Sequence, residues 1–118
     1  MSFEARDRAV FDPDDFIERM MGDLALAQSI AETFLIDIHR QIDVLKEKLD
    51  KDDSRAVELQ SHCINGAAAI MAAEKFREVA SAIEKAGRID NLRIAVALIP
   101  ELERELAVLE KEMRQTLL

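Results

Sequence analysis

Residues 57–73, VELQSHCINGAAAIMAA, decide how the chain folds. Val57, Ser61, Ile64, Ala68 and Met71 recur at the three- and four-residue spacing of one helical face. With the centre of that stripe at zero on a helical wheel, His62 falls at about 140°, Gly66 at about 180° and Ala69 at about 120°. Leu59 and Ala73 flank them, at about 200° and about 160°. The face turned from the core therefore reads Leu59, His62, Gly66, Ala69, Ala73. A solvated helix face ordinarily carries Lys, Glu, Arg and Gln. This one is bare, and Gly66 costs about 1 kcal/mol relative to alanine in a helix interior. A lone histidine on a helix is in most cases a plain surface residue. Here its small, uncharged neighbours predict a surface on which a partner lands, with the imidazole at its centre.

The same periodicity continues on both sides of this helix. Upstream, Ala27, Ile30, Ala31, Phe34, Ile38, Ile42, Leu45 and Leu49 form one stripe, a helix capped by Asp23 and running toward Leu49. Asp12-Pro13 starts a shorter helix, roughly Pro13 to Met21, that stops at Gly22. Asp50-Lys51-Asp52-Asp53 is a polar turn short enough to force an antiparallel pair. Downstream, Phe76, Val79, Ala80, Ile83 and Ala86 sit about 75° off the preceding stripe, which predicts a break near Ala72 to Glu74. No glycine or proline marks that break. Gly87 is expected to close the fourth helix as its C-cap. Asp90 or Asn91 caps the last, whose stripe is Leu92, Ala95, Val96, Ile99, Leu102, Leu106, Leu109 and Met113. Pro100 lies within it and is expected to kink it. No β-branched run alternates with polar residues, so no strand is expected. The fold predicted is all-α: an antiparallel up-down four-helix bundle with a short additional N-terminal helix. Residues 11–118 form its single domain, and residues 1–10 a poorly ordered extension.

Composition agrees and excludes several functions. A chain of 118 residues buries roughly 65% of its unfolded surface and needs no staple. It is 49% hydrophobic and 34% charged, which rules out a disordered or low-complexity chain. Sixteen Lys and Arg stand against 24 Asp and Glu, with no Trp or Tyr, so a nucleic-acid binder, which needs a basic patch and often aromatic platforms, is not expected. The first twenty residues are too charged for a signal peptide, and no apolar run of membrane-spanning length exists, so a cytoplasmic protein is expected. Cys63, the one cysteine, can form no internal disulfide or thiolate cage and reads as a small packing residue. Glu58, four residues before His62, makes with it too small a set for a metal, and the core stripes lack the Glu-x-x-His pairs of di-iron bundles; no metal is expected. His39 reads as an ordinary surface histidine. No glycine-rich phosphate loop is present, and no serine–histidine–aspartate arrangement accompanies His62.

His62-Cys63-Ile64-Asn65-Gly66-Ala67-Ala68-Ala69-Ile70-Met71 resembles the H-x-L-K-G-A/S core of histidine-containing phosphotransfer (HPt) domains. The similarity runs from about Phe11 to Glu110. Phe11-Asp12-Pro13-Asp14 with Gly22-Asp23 looks like that family's opening helix and glycine break, and Glu84-Lys85-Ala86-Gly87-Arg88 like the end of its fourth helix. Leu98-Ile99-Pro100-Glu101-Leu102-Glu103 is similar to its proline-containing last helix. The resemblance implies a phosphorelay intermediate: His62 accepts a phosphoryl group from the aspartyl phosphate of a receiver domain and passes it on in two-component signal transduction. It also implies a phosphocarrier, not an enzyme, with no nucleotide site. Its partners would be receiver domains of response regulators or hybrid histidine kinases. The Mg²⁺ of the reaction would be bound by the receiver, with no cofactor on this chain, and a monomer is expected over a dimer.

Two positions bear on whether transfer is competent. Asn65 stands where the family usually has lysine, and an amide brings hydrogen bonds but no charge. Glu84, 22 residues after His62, matches a fourth-helix position that in some members is a polar residue near the phosphoryl group. A carboxylate there is not expected to help hold phosphate. Asn65, Gly66 and Glu84 are thus the expected phosphoryl environment, and Leu59, Ala69 and Ala73 the docking face. Lys75 and Arg77 are the next cations in sequence. Asn65 keeps a second reading open: a degenerate HPt-like module that binds a receiver or dimerises and never carries phosphate.

Overall fold

Asp12, Asp23 and Asp53 each fix the start of a helix, because a carboxylate at the N-cap satisfies an amide that the helix leaves unpaired. In a computed structural model that describes residues 10–118, Asp12 accepts from the Asp15 amide at 3.1 Å and opens α1, Pro13–Arg19. Asp23 accepts from the Leu26 amide at 3.0 Å and opens α2, Leu24–Asp50. Asp53 accepts from the Ala56 amide at 3.0 Å and opens α3, Ser54–Ile70. Two further helices follow, α4, Glu74–Arg88, and α5, Leu92–Thr116. The described residues are all-α. The connections are too short for anything but antiparallel neighbours, and the result is the up-down bundle with its short extra helix at the N-terminus. Residues 1–9 of the expected extension lie outside the described residues; Val10 packs, partly buried, against the core.

The core is built from the stripes read above. Phe34, Ile38, Ile42 and Leu45 of α2, Val57 and Ile64 of α3, Phe76 and Ile83 of α4, and Leu102, Leu109 and Met113 of α5 are all buried. Phe16 of α1 is fully buried and stacks at a tilt on Phe11, ring centroids 6.0 Å apart, closing one end. Across the seam between α2 and α5, His39 Nε2 meets Glu110 Oε1 at 3.1 Å and Lys46 pairs with Glu103 at 2.6 Å. His39 is therefore an inter-helix clamp. Val96, placed on the apolar stripe by its spacing, is exposed. Pro100 is exposed too, within a helix that continues past it.

The break between α3 and α4 falls where the wheel offset put it, at Met71–Ala73. Ala72 takes the left-handed conformation, φ 56°, in a position that usually goes to glycine. The Ala73 amide reaches back to the Ala68 carbonyl at 3.0 Å, the long bond of a Schellman closure. Met71 and Ala73 are fully packed, and their burial holds an alanine in a conformation that costs about 1 kcal/mol or more. This turn corrects the reading of Ala73. It follows the end of α3, has 0% exposure, and cannot belong to a docking face.

Gly87 also differs from expectation. It is not a C-cap; α4 runs on to Arg88, and Asp90 is the residue with positive φ, 55°. A Cβ at Gly87 would lie 2.8 Å from the Glu58 amide nitrogen and 3.0 Å from the Ser54 carbonyl oxygen. The glycine is there because the α3 and α4 backbones touch. Asp90, rather than capping α5, accepts from the Ser54 hydroxyl and ties the same two helices together.

Candidate functional site

That close approach brings the first turns of α3 against the last turns of α4, so side chains one helix apart can meet. The α3 face reads in three dimensions nearly as its wheel does. Leu59, His62, Gly66 and Ala69 are exposed, Asn65 is half-buried at its edge, and nothing lies within 4 Å of where a Gly66 Cβ would be. Cys63, expected to pack, is exposed beside His62. The far end of the face is bounded by α1, whose Arg19 donates to the Ala69 carbonyl at 2.9 Å.

Glu84 organises the centre. It points from α4 toward α3 with only 12% of its side chain exposed, while the His62 side chain is 71% exposed. Its Oε2 lies 3.1 Å from His62 Nδ1 and accepts from Arg88 Nη2 at 3.2 Å. Its Oε1 accepts from Asn65 Nδ2 at 3.2 Å. An ionised carboxylate can only accept, so the ring nitrogen facing it carries the proton. In the neutral ring that leaves Nε2 with a free lone pair, and no described residue hydrogen-bonds to it. A charged acceptor behind Nδ1 also favours any positive charge that develops on the ring.

Arg88 links this group to a second carboxylate, donating through Nε to Glu58 Oε2 at 3.3 Å. Arg55 donates to the other oxygen of Glu58 at 2.8 Å. Arg55 first, and then Arg88, hold the Glu58 carboxyl below the usual carboxylate range. Glu58 thus engages two guanidiniums and does not partner His62. Of the cations singled out by sequence, Arg77 pairs with Glu74 at 2.7 Å and Lys75 is exposed. Arg88 is the one gathered into the site. Sequence reasoning missed it, although Glu84 and Arg88 stand four apart on one helix face, the spacing of an ion pair. Glu84 itself occupies the buried face of α4 between Ile83 and Ala86, and an acidic residue at such a position signals a partner. Among the described residues no group of three or more His, Cys, Asp or Glu is placed to hold a metal ion. No described helix is long and apolar enough to cross a membrane.

The class is thus an all-α bundle whose α3 face, otherwise bare, carries an exposed histidine backed by a buried carboxylate. The particular family follows from comparison. Residues 29–112 match the Hpt domain family, and the chain belongs to it. Domains of this family are phosphocarrier intermediates of two-component phosphorelays, and they interact with receiver domains. Among solved structures the chain is similar to histidine-containing phosphotransfer protein B from Pseudomonas aeruginosa PAO1, with 23% identity and a TM-score of 0.83 over 90% of this chain and 92% of that one. At that identity the likeness establishes the shared fold. No curated protein sequence matches the chain.

Proposed function

We propose that His62 is the phosphoacceptor and that its Nε2 takes the phosphoryl group from the aspartyl phosphate of a receiver domain and later returns it to a second receiver. One observation carries this reading: Nδ1 is committed to Glu84, while most of the ring is open to a partner. In the forward step the Nε2 lone pair forms a bond to phosphorus as the bond from phosphorus to the aspartate oxygen breaks. The aspartate leaves as a carboxylate, and Nδ1 keeps its proton. Positive charge grows on the ring during that step, and Glu84 Oε2 is already placed to stabilise it. The return step runs through the same geometry.

Phosphoryl transfer asks for in-line positioning and charge neutralisation more than for covalent machinery. The small exposed residues Gly66 and Ala69, with the exposed Leu59 beside them, leave room for approach. Position 65 brings no cation and Arg88 is engaged by Glu84 and Glu58, so charge neutralisation falls to the Mg²⁺ that the receiver's acidic pocket would hold. The protein then needs no nucleotide site of its own and works as a carrier. Asn65, being uncharged, is the one observation that favours the second reading, a module that binds a receiver without carrying phosphate.

The test is incubation with a phosphorylated receiver domain. Transfer of label to this chain as an acid-labile, alkali-stable adduct, absent from His62→Gln, is the expected result. Receiver binding with no adduct selects the second reading, and an adduct that survives in His62→Gln removes the site assignment.

A further inference from the structure

The amide of Asn65 is not turned to the open surface around Nε2. It is turned inward, onto Glu84. We propose that Asn65 is a positioning residue for the phosphoacceptor: by holding Oε1 of Glu84 it keeps Oε2 on His62 Nδ1, and so sets the tautomer that leaves Nε2 free. Its functional consequence rests on the phosphoacceptor reading above, but the tautomer itself does not.

The division of the carboxylate makes the case. Oε2 is shared by His62 and Arg88, whereas Asn65 is the donor on Oε1 among the described residues. The terminal torsion of a glutamate is broad and weakly restrained by itself. Without the amide, Oε1 keeps its burial and loses its donor, and an arginine four residues on can take both oxygens side by side. That rearrangement draws Oε2 off the ring. Asn65 stands one helical turn from His62 on α3, so a single inward-facing pair of side chains spans the two oxygens.

The chemistry of the side chain matters as much as its reach. A lysine in this place is a flexible point charge with rotatable donors. Beside Arg88 it would add a second cation to Glu84 and weaken its hold on the Nδ1 proton. An amide fixes the carboxylate without adding that second charge. Asparagine is thus matched to a site whose acidic partner is Glu84 and whose cation is Arg88.

The experiment is ring ¹⁵N–¹H correlation spectroscopy of ¹⁵N-histidine-labelled, unphosphorylated protein at an alkaline pH that keeps imidazole neutral. Wild type should show Nδ1 protonated and Nε2 bare, and Glu84→Ala gives the reference for a ring without its acceptor. Asn65→Ala should move the tautomer ratio toward Nε2–H by at least about threefold, a fraction of what a hydrogen bond to a charged group supplies. Asn65→Leu, which keeps the branched shape and removes the donor, should do the same, and Asn65→Gln should restore much of the wild-type ratio. A ratio unchanged in Asn65→Ala and Asn65→Leu overturns the proposal, whatever Glu84→Ala does. Labelled phosphoryl transfer on the same samples separates the two ideas. An adduct on wild type with no tautomer shift in the Asn65 variants overturns this inference alone. Shifted tautomers with no adduct on wild type leave this inference standing and remove the phosphoacceptor reading.

Discussion

Gly66 and Gly87 both lie inside helices, yet the same substitution should act on them with opposite sign. Alanine is about 1 kcal/mol better than glycine in a helix interior. At Gly66 nothing lies within 4 Å of the added methyl, so Gly66→Ala should stabilise by about 0.5–1 kcal/mol. At Gly87 the methyl meets backbone atoms of α3, at 2.8, 3.0 and 3.1 Å, and backbone cannot rotate away as a flexible side chain can. Overpacking of this kind costs about 3 kcal/mol at the upper end of its usual range. Less the propensity gain of about 1 kcal/mol, Gly87→Ala should destabilise by about 2 kcal/mol. For a domain of this size that corresponds to a fall in Tm of about 8 °C. The assay is urea unfolding followed by circular dichroism, read from the midpoint at constant slope. Because Gly87 lies between Glu84 and Arg88, parting the helices should also lengthen the His62–Glu84 contact and slow phosphoryl transfer in the folded variant. A Gly87→Ala protein as stable as Gly66→Ala would refute the claim that backbone contact between α3 and α4 positions the site.

Gly66→Leu should not destabilise the fold, leucine being nearly as good a helix former as alanine, and should cut receiver docking and transfer more than about tenfold, the equivalent of about 1.4 kcal/mol; unchanged transfer rates would show that this face is not the working surface. Arg88→Ala should slow transfer and shorten the life of the adduct at a stability cost of about 1–2 kcal/mol, because the largely buried Glu84 carboxylate loses a charged donor. Arg88→Lys should recover only part of that loss, since a lysine cannot bridge Glu58 and Glu84 as the fork does, and time courses of labelled protein measure both. Glu110 is held below its ordinary value of 4.5 by the hydrogen bond from His39 and then by Arg114. Its contribution is complete above that ordinary value and is lost as pH falls through the lower folded one, where the unfolded chain has already taken up its proton. Urea midpoints of wild type and Glu110→Gln should therefore converge as pH is lowered through that window, and a gap that stays constant would exclude the clamp.

Much of this was legible in the sequence, for reasons visible in single residues. Asp12 and Asp23 cap helices through contacts three residues away, so they can be found from sequence, whereas Asp53, read only as part of a polar turn, caps α3 in the same way. The α3–α4 break was visible as a jump in the apolar stripe even though Ala72 took the turn in place of glycine. What the wheel could not supply was depth between helices. Ala73 has the correct angle for the exposed face, but the chain has already turned at Ala72, so its side chain goes into the core. Gly87 reads as a cap from its position near a helix end, and only the nearness of Ser54 and Glu58 shows that it serves packing. Glu84 was placed near His62 by resemblance and read as a poor phosphate ligand. Its part is on the other ring nitrogen, and that requires knowing which way the imidazole faces. Arg88 escaped notice because its link to His62 runs through Glu84 and crosses from one helix to another.

The central claim is that Glu84 holds Nδ1 so that Nε2 is the atom that carries phosphate. The most direct measurement is the position of attachment, read by ³¹P and ¹⁵N spectroscopy of the protein after phosphorylation by a receiver domain. The account predicts a single phosphoryl group on Nε2 of His62, with Nδ1 still protonated and hydrogen-bonded. Phosphate on Nδ1, or on any residue other than His62, would contradict it.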